Sequence, residues 1–210
     1  NLLVDAAQLV AHRKVDMEKC GIDYLAFSAH KVYAPFGTGV LVVRKGLLHF
    51  SDEEQEMIQL SGEENAGGIA ALGKALVILQ RIGMDLIREE EQALTRRALR
   101  GLTEMKDLEI FGVKDPDSPG FNNKLGVIVF NVKNKMPNKV ANQLAMQGGI
   151  GVRYGCHCAH IMVKHILHIS PFLEQFQRLI QILFPKFRFL GVIRVSLGIE
   201  NNEEDVETLI

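Results

Sequence analysis

With 210 residues, 47% of them hydrophobic and 23% charged, the chain is long enough to bury one sizeable core or two modest ones. Its 24 basic and 25 acidic side chains nearly cancel, which argues against nucleic acid or a membrane surface as the main partner. Cys20, Cys156 and Cys158 are an odd and small set, unlike a secreted disulfide framework, and no apolar run is long enough to span a bilayer, so a reducing, cytoplasmic setting is expected.

Leu2–Val4 is an apolar run that ends at Asp5, and Asn1–Val4 already reads as a strand. Domains seldom open inside a strand, so an N-terminal portion is expected to precede this sequence. Asp16–Gly21 reads as one or two helical turns, and Tyr24–Ser28 and Gly39–Arg44 as strands. The first two strands are separated by enough chain for a crossover with a small helix, which predicts parallel pairing. The second and third are joined only by AHKVYAPFGT, with Pro35 and Gly37, which predicts an antiparallel return. Residues 51–64 are acidic and read as irregular. From Asn65 to about Gly101 the apolar spacing is helical, with a break at Ile82-Gly83, and this pair is expected to bridge two domains. Beyond it, Leu108–Phe111, Val127–Val132, Ile150–Tyr154 and Val192–Leu197 read as strands. Pro116–Gly120 reads as a loop, and Asn138–Gln147 and Asn202–Ile210 as helices.

Asp5 stands at the C-terminal end of one predicted strand; Ser28, His30 and Lys31 stand at the end of its predicted neighbour. Ligands of open α/β sheets bind outside such strand ends. Pyridoxal phosphate (PLP) needs a lysine amine, a carboxylate against the pyridine nitrogen, and hydroxyl, imidazole and amide donors. Asp5, Lys31, Ser28, His30 and Gln8 supply those types. A lone aspartate or lysine would more simply be a capped strand end or a solvated side chain.

DAAQ at Asp5–Gln8 and SAHKVYAPFGTGVLVVRKGLL at Ser28–Leu48 resemble the class V aminotransferase-like PLP enzymes, most of all the cysteine desulfurases and selenocysteine lyases. The likeness continues through GEENAGGIAALGKAL and VRYGCHCAH to RVSLGIENNEEDV. It therefore covers nearly the whole chain, while the chain corresponds to the latter half of a full member. The resemblance implies an α/β fold: part of a mostly parallel PLP-binding large-domain sheet over residues 1–95, with bridging helices, and a smaller C-terminal α+β domain over 96–210. It implies Lys31 as the Schiff-base lysine, Asp5 as the pyridinium partner, Gln8 on the ring oxygen, and Ser28 and His30 on the phosphate. It also implies an amino-acid substrate, a homodimer and a possible sulfur-acceptor protein. The alternatives are another class V aminotransferase or lyase without a catalytic cysteine, or a non-catalytic fragment serving as a metal-binding or assembly module.

CHCAHIMVKHILH at residues 156–168 crowds cysteines and histidines together. Three readings stand side by side. By resemblance, Cys158 matches the family's persulfide-carrying cysteine and His157 its histidine, with Cys156 a departure. As chemistry of ligands, Cys156, Cys158, His160 and His165 could bind zinc, although C-x-C is not the usual knuckle spacing, and no metal site is assigned. As structure, the cysteines are small apolar residues and the histidines line a polar helix face. The resemblance further implies that Arg194, in RVSLGIEN, clamps the substrate carboxylate, a task suited to a planar guanidinium. Arg153 is a second candidate for that pocket or its rim.

Two departures from the family stand out. Glu63 and Glu64 replace a Thr-Pro whose threonine reaches the cofactor phosphate of a partner subunit. Residues 169–191 form an apolar insertion, expected to be an extra helix on the small domain, and less simply a lid, a docking surface or a membrane contact.

Overall fold

The computed structural model describes residues 1–62, 64–170 and 191–210. Strands β1 (Leu3–Asp5), β2 (Tyr24–Ser28) and β3 (Gly39–Val43) form one sheet in that order. β1 runs parallel to β2, with Asp5 opposite Ala26, and β3 runs antiparallel to β2, with Gly39 opposite Ser28. The connections account for both directions. Eighteen residues, including helix α1 (Leu9–His12), carry the chain from β1 back to the start of β2. Between β2 and β3 the chain makes a single 3-10 turn (Ala29–Val32) and reverses through left-handed Tyr33 (φ 67) and Gly37 (φ 95). As described, this sheet is mixed. Its lower edge is tied by Asp23, buried, whose carboxylate accepts from the Leu2 amide at 2.7 Å and from Arg44 at 2.7 Å.

Residues 51–64, expected to be irregular, instead hold helix α2 (Asp52–Leu60). Ser51 and Glu54 form a reciprocal capping box, and Asp52, Glu53 and Glu54 place negative charge in the first turn, where the helix dipole favours it. None of its residues is buried, which is why apolar spacing did not reveal it. Helix α3 (Ala66–Ile82) ends at Gly83 (φ 95), and α4 (Met84–Glu104) follows at once, as the break at Ile82-Gly83 predicts. Leu72, Ala75 and Leu79 of α3 recur at helical spacing and pack with Ala11, Ala29, Val32, Ala34 and Ile87. The opposite outcome holds for Leu3 and Leu41 on the sheet, which are exposed.

The chain divides into two compact units, Asn1–Glu89 and Glu90–Ile210, the division falling within α4. In the second unit, β4 (Leu108–Phe111), β5 (Val127–Val132), β6 (Arg153–Gly155) and β7 (Val192–Ser196) form an antiparallel sheet in the order β4-β5-β7-β6. One stripe of α4 (Leu94, Ala98, Leu99, Leu102) packs on Ile128, Phe130, Ile193 and Val195, and helices α5 (Pro137–Gly148) and α7 (Glu203–Leu209) add Val140, Val206 and Leu209. The strand expected at Ile150–Tyr154 starts only at Arg153. Gly149 (φ 64) ends α5, the Ile150 amide still bonds to Leu144, and Ile150 and Val152 pack on the core as a connector. Helix α6 (His160–Ile166) follows β6. The helix expected in the 169–191 insertion lies, from 171 to 190, outside the described residues.

Asn65 joins α3 to the β3 approach: its side chain accepts from the Gly68 amide at 3.0 Å and donates to the Gly37 carbonyl and the Thr38 hydroxyl, each at 3.4 Å. A Cβ on Gly68 would lie 2.1 Å from Thr38 Oγ1 and 2.6 Å from Asn65 Nδ2. Gly68→Ala is therefore expected to break this clamp and destabilise the chain by about 1–3 kcal/mol, the usual range for overpacking. Urea unfolding checks it, and an unchanged midpoint would show that the clamp yields without cost.

Candidate active site

In the first unit the ladder decides which side chains share a face. Asp5 pairs with Ala26, so Asp5, Ala26 and, two residues on, Ser28 point to the same side of the sheet. Val4, Leu25 and Phe27 point to the other side and pack into apolar clusters. Asp5 thus ends β1 exposed, with Oδ1 accepting from the Ala7 amide at 3.0 Å and bending the chain into α1. Gln8 is the residue that precedes α1, half-buried, and its side chain makes no cap bond. Ser28 precedes the 3-10 turn, and its hydroxyl likewise makes no cap bond. His30 is exposed and stacks on Phe36 with ring centroids 4.8 Å apart. Lys31 is half-buried within the turn, and its ammonium has no hydrogen bond or ion pair among the described residues. Val10 and Ala11 of α1 pack with Ala29 and Val32 of the turn, so the segments carrying Gln8 and Lys31 are neighbours at one rim. A carboxylate, an amide, a hydroxyl, an imidazole and an uncommitted amine are the donor set that PLP requires, and these residues fit it.

In the second unit, Arg153 of β6 stands directly opposite Arg194 of β7. Facing residues of an antiparallel pair hold their Cβ atoms about 4.5–5.5 Å apart, and like charges there repel. Ile193 and Val195 flank Arg194 and are buried in the core, so both guanidiniums leave from the opposite face. Arg194 is half-buried and its Nε is buried without a partner among the described residues. Burial, then the charge of Arg153, holds the Arg194 guanidinium below its ordinary pKa. Asn131, on the same face of β5, leaves its own buried Oδ1 unpartnered. Paired cations with an unmet buried donor form a site for an anion such as a carboxylate. Sequence reasoning ranked Arg153 below Arg194; only the strand register shows that the two are partners.

Between β6 and α6 the chain turns sharply. His157 (φ 51) and Cys158 (φ 61) are both left-handed, and the Ala159 amide closes on the Cys156 carbonyl at 2.7 Å. This is a type I′ turn, which normally selects Asn or Gly, and each side chain held there costs about 1–2 kcal/mol. Cys156 is half-buried and Cys158 exposed. Cys158, His160, Met162 and His165 line an open depression. Among the described residues no group of three or more His, Cys, Asp or Glu side chains is placed to hold a metal ion, so the zinc reading gains no geometry. The His157 ring bonds the Val192 carbonyl through Nε2 at 3.1 Å, a contact no sequence pattern announced. Before α3, Glu64 accepts from the Ser61 hydroxyl at 3.1 Å, while Glu63 lies outside the described residues.

Comparison with known proteins matches residues 1–209 to the family model described as "Aminotransferase class-V". Cysteine desulfurases of Shigella flexneri and Klebsiella pneumoniae are 31% and 32% identical over the whole of this chain. The chain spans about half the length of these curated relatives, 49% in each case. Among solved structures, the apo cysteine desulfurase of Thermococcus onnurineus superposes with a TM-score of 0.73 at 28% identity, covering 99% of this chain and 50% of that one. The Escherichia coli cysteine desulfurase CsdA in an S-sulfonic acid form superposes with a TM-score of 0.70 at 22% identity, covering 99% and 49%, and at that identity it supports the fold alone.

His157 gives the site a pH signature. Burial lowers its pKa, and the charges of Arg194 and Arg153 act the same way against the raising effect of the Val192 bond. The neutral ring is favoured in the folded state, so its contribution is fully present above the unfolded value of about 6.5 and is lost as pH falls through the lower folded value. His157→Asn, which tolerates the left-handed backbone, is expected to flatten the loss of urea stability just below pH ~6.5. Identical pH profiles for the two chains would count against this assignment.

Proposed function

This chain belongs to the aminotransferase class-V family, and from that premise we propose that the protein it represents is a PLP-dependent cysteine desulfurase or selenocysteine lyase. The observation that carries the reading is the rim at the C-terminal ends of parallel β1 and β2. There Asp5, Gln8, Ser28, His30 and Lys31 gather the groups that PLP needs on adjoining segments. Under this reading the first unit belongs to a larger, mostly parallel cofactor-binding domain and the second is a small α+β domain. A cytoplasmic homodimer and a sulfur-acceptor protein belong to the same proposal. Among the described residues no helix is long and apolar enough to cross a membrane.

When bound, PLP supplies an electron sink for the bonds at the substrate's Cα. Asp5 would keep the proton on the pyridine nitrogen. Gln8 would donate to the ring oxygen, and Ser28 and His30 would hold the phosphate. Lys31 would anchor the cofactor covalently through its amine and, once freed by the substrate's amine, move the proton at Cα. Arg194, with Arg153 beside it, would take the substrate carboxylate in two parallel hydrogen bonds. The Cys158 thiolate would attack the substrate's sulfur, forming an S–S bond as the C–S bond breaks, and alanine would leave.

Expression of the gene with any adjoining coding sequence, assayed with L-cysteine, tests this reading. Cys158→Ala is expected to stop sulfide release while the visible absorbance of bound cofactor persists, because the thiol acts only after the cofactor is held. Lys31→Ala should remove that absorbance. Undiminished turnover in the Cys158→Ala enzyme would point instead to a class V aminotransferase or lyase. Arg194→Lys should lose one charge-assisted hydrogen bond of about 1.5–3 kcal/mol, lowering kcat/KM about ten- to hundred-fold, and steady-state kinetics measure it.

A further inference from the structure

We infer that Cys156 and Cys158 form a reversible dithiol–disulfide couple within a single turn, a redox site in its own right. A disulfide needs Cα atoms about 4.4–6.8 Å apart. Two residues of fully extended chain already reach at most about 7 Å, and a turn shortens that span. On an extended strand the two side chains would also point to opposite sides. Here the I′ turn, with His157 and Cys158 both left-handed and closed by the bond from the Ala159 amide to the Cys156 carbonyl, removes that alternation. Gly155 (φ 121) precedes the turn, and a Cβ on Gly191, the residue before β7, would come within 2.5 Å of the Gly155 Cα, so the chain entering β7 lies closely against the turn's entry.

The two sulfurs differ in access. Cys158 is exposed at an open depression, and Cys156 is half-buried. The exposed thiol is the one an oxidant reaches first. A peroxide would convert the Cys158 thiolate to a sulfenic acid, its O–O bond breaking. The Cys156 sulfur would then attack the Cys158 sulfur, the S–O bond would break, and the oxygen would leave as water. In sum, two thiols and one hydrogen peroxide give one disulfide and two waters. A dithiol reductant reverses the step by exchange, becoming a disulfide itself. The bond would withhold Cys158 from chemistry and protect it from irreversible oxidation. That consequence rests on the proposed role of Cys158, but the bond itself requires neither cofactor nor substrate.

The test uses the 210-residue chain, hydrogen peroxide and peptide mass. Trypsin cuts after Arg153 and Lys164, so both cysteines lie in the peptide Tyr154–Lys164. After peroxide treatment the fragment ions spanning Cys156–Cys158 are expected to lose about 2 Da, for two hydrogens, and to regain them with dithiothreitol, any oxygen gained at Met162 being read from the separate fragments that carry it. Free thiols should fall from three per chain to one, Cys20 remaining. With Cys156→Ser, the fragment carrying Cys158 should instead gain about 32 Da as Cys158 proceeds to the sulfinic acid. Because the turn organises the pair, the bond should form about ten-fold faster in the folded chain than in urea. A wild-type peptide that only gains oxygen, a bond made with Cys20, or equal rates folded and unfolded would each overturn the inference. The wild-type measurements stand even if Cys156→Ser does not fold. A failure here would leave sulfide release from L-cysteine to be judged on its own assay.

Discussion

The parallel pairing of β1 with β2 sets the positions of Asp5 and Ser28 in the first unit's candidate site. With Asp5 opposite Ala26, the carboxylate and the Ser28 hydroxyl fall on one face, away from Val4, Leu25 and Phe27. A slip of one residue would turn Asp5 into the apolar clusters and Val4 into solvent. The buried residues on the far face therefore enforce the register, and the register places the polar groups. The 3-10 turn extends the same logic: Ala29 and Val32 are buried, and that anchors the intervening backbone on which His30 and Lys31 stand.

In the second unit the governing term is repulsion. Arg153 and Arg194 face each other across a strand pair, where like charges cost energy, and neither has an acidic partner among the ion pairs of the described residues. The core face of β7 holds Arg194 in place regardless, because Ile193 and Val195 on either side are buried. The same two cations help keep the ring of His157 neutral. Under the proposed reading, the substrate carboxylate would offset half of this charge and meet the unsatisfied Nε.

Sequence made much of this legible because the relevant signals are local. Connection length distinguished parallel from antiparallel pairing in the first sheet, and Ile82-Gly83 marked the boundary of α3 and α4. Helix α2 escaped because its support is a capping box and acidic first turn, with no buried face to generate spacing. The start of β6 was misjudged because Ile150 and Val152 are apolar for the sake of the core and not of a ladder. The Arg153–Arg194 pairing could not be read at all from spacing, since forty-one positions separate the two and only strand register brings them opposite. The turn at 156–159 was equally hidden, because its backbone is one that Asn-Gly announces and His-Cys does not.

The segment before α3 combines a structural clamp with concentrated negative charge. Asn65 caps α3 and reaches back to Gly37 and Thr38, and Gly68 leaves room for that clamp. Glu64, one residue earlier, is a carboxylate tied to the Ser61 hydroxyl, and Asp52, Glu53 and Glu54 add negative charge to the preceding helix. A phosphate brought to this segment would meet like charge at short range, with no cation among residues 51–65 to offset it. Under the proposed reading, phosphate recognition within this chain therefore falls on the strand-end donors Ser28 and His30. The segment before α3 keeps the Asn65 cap and carries an acidic character.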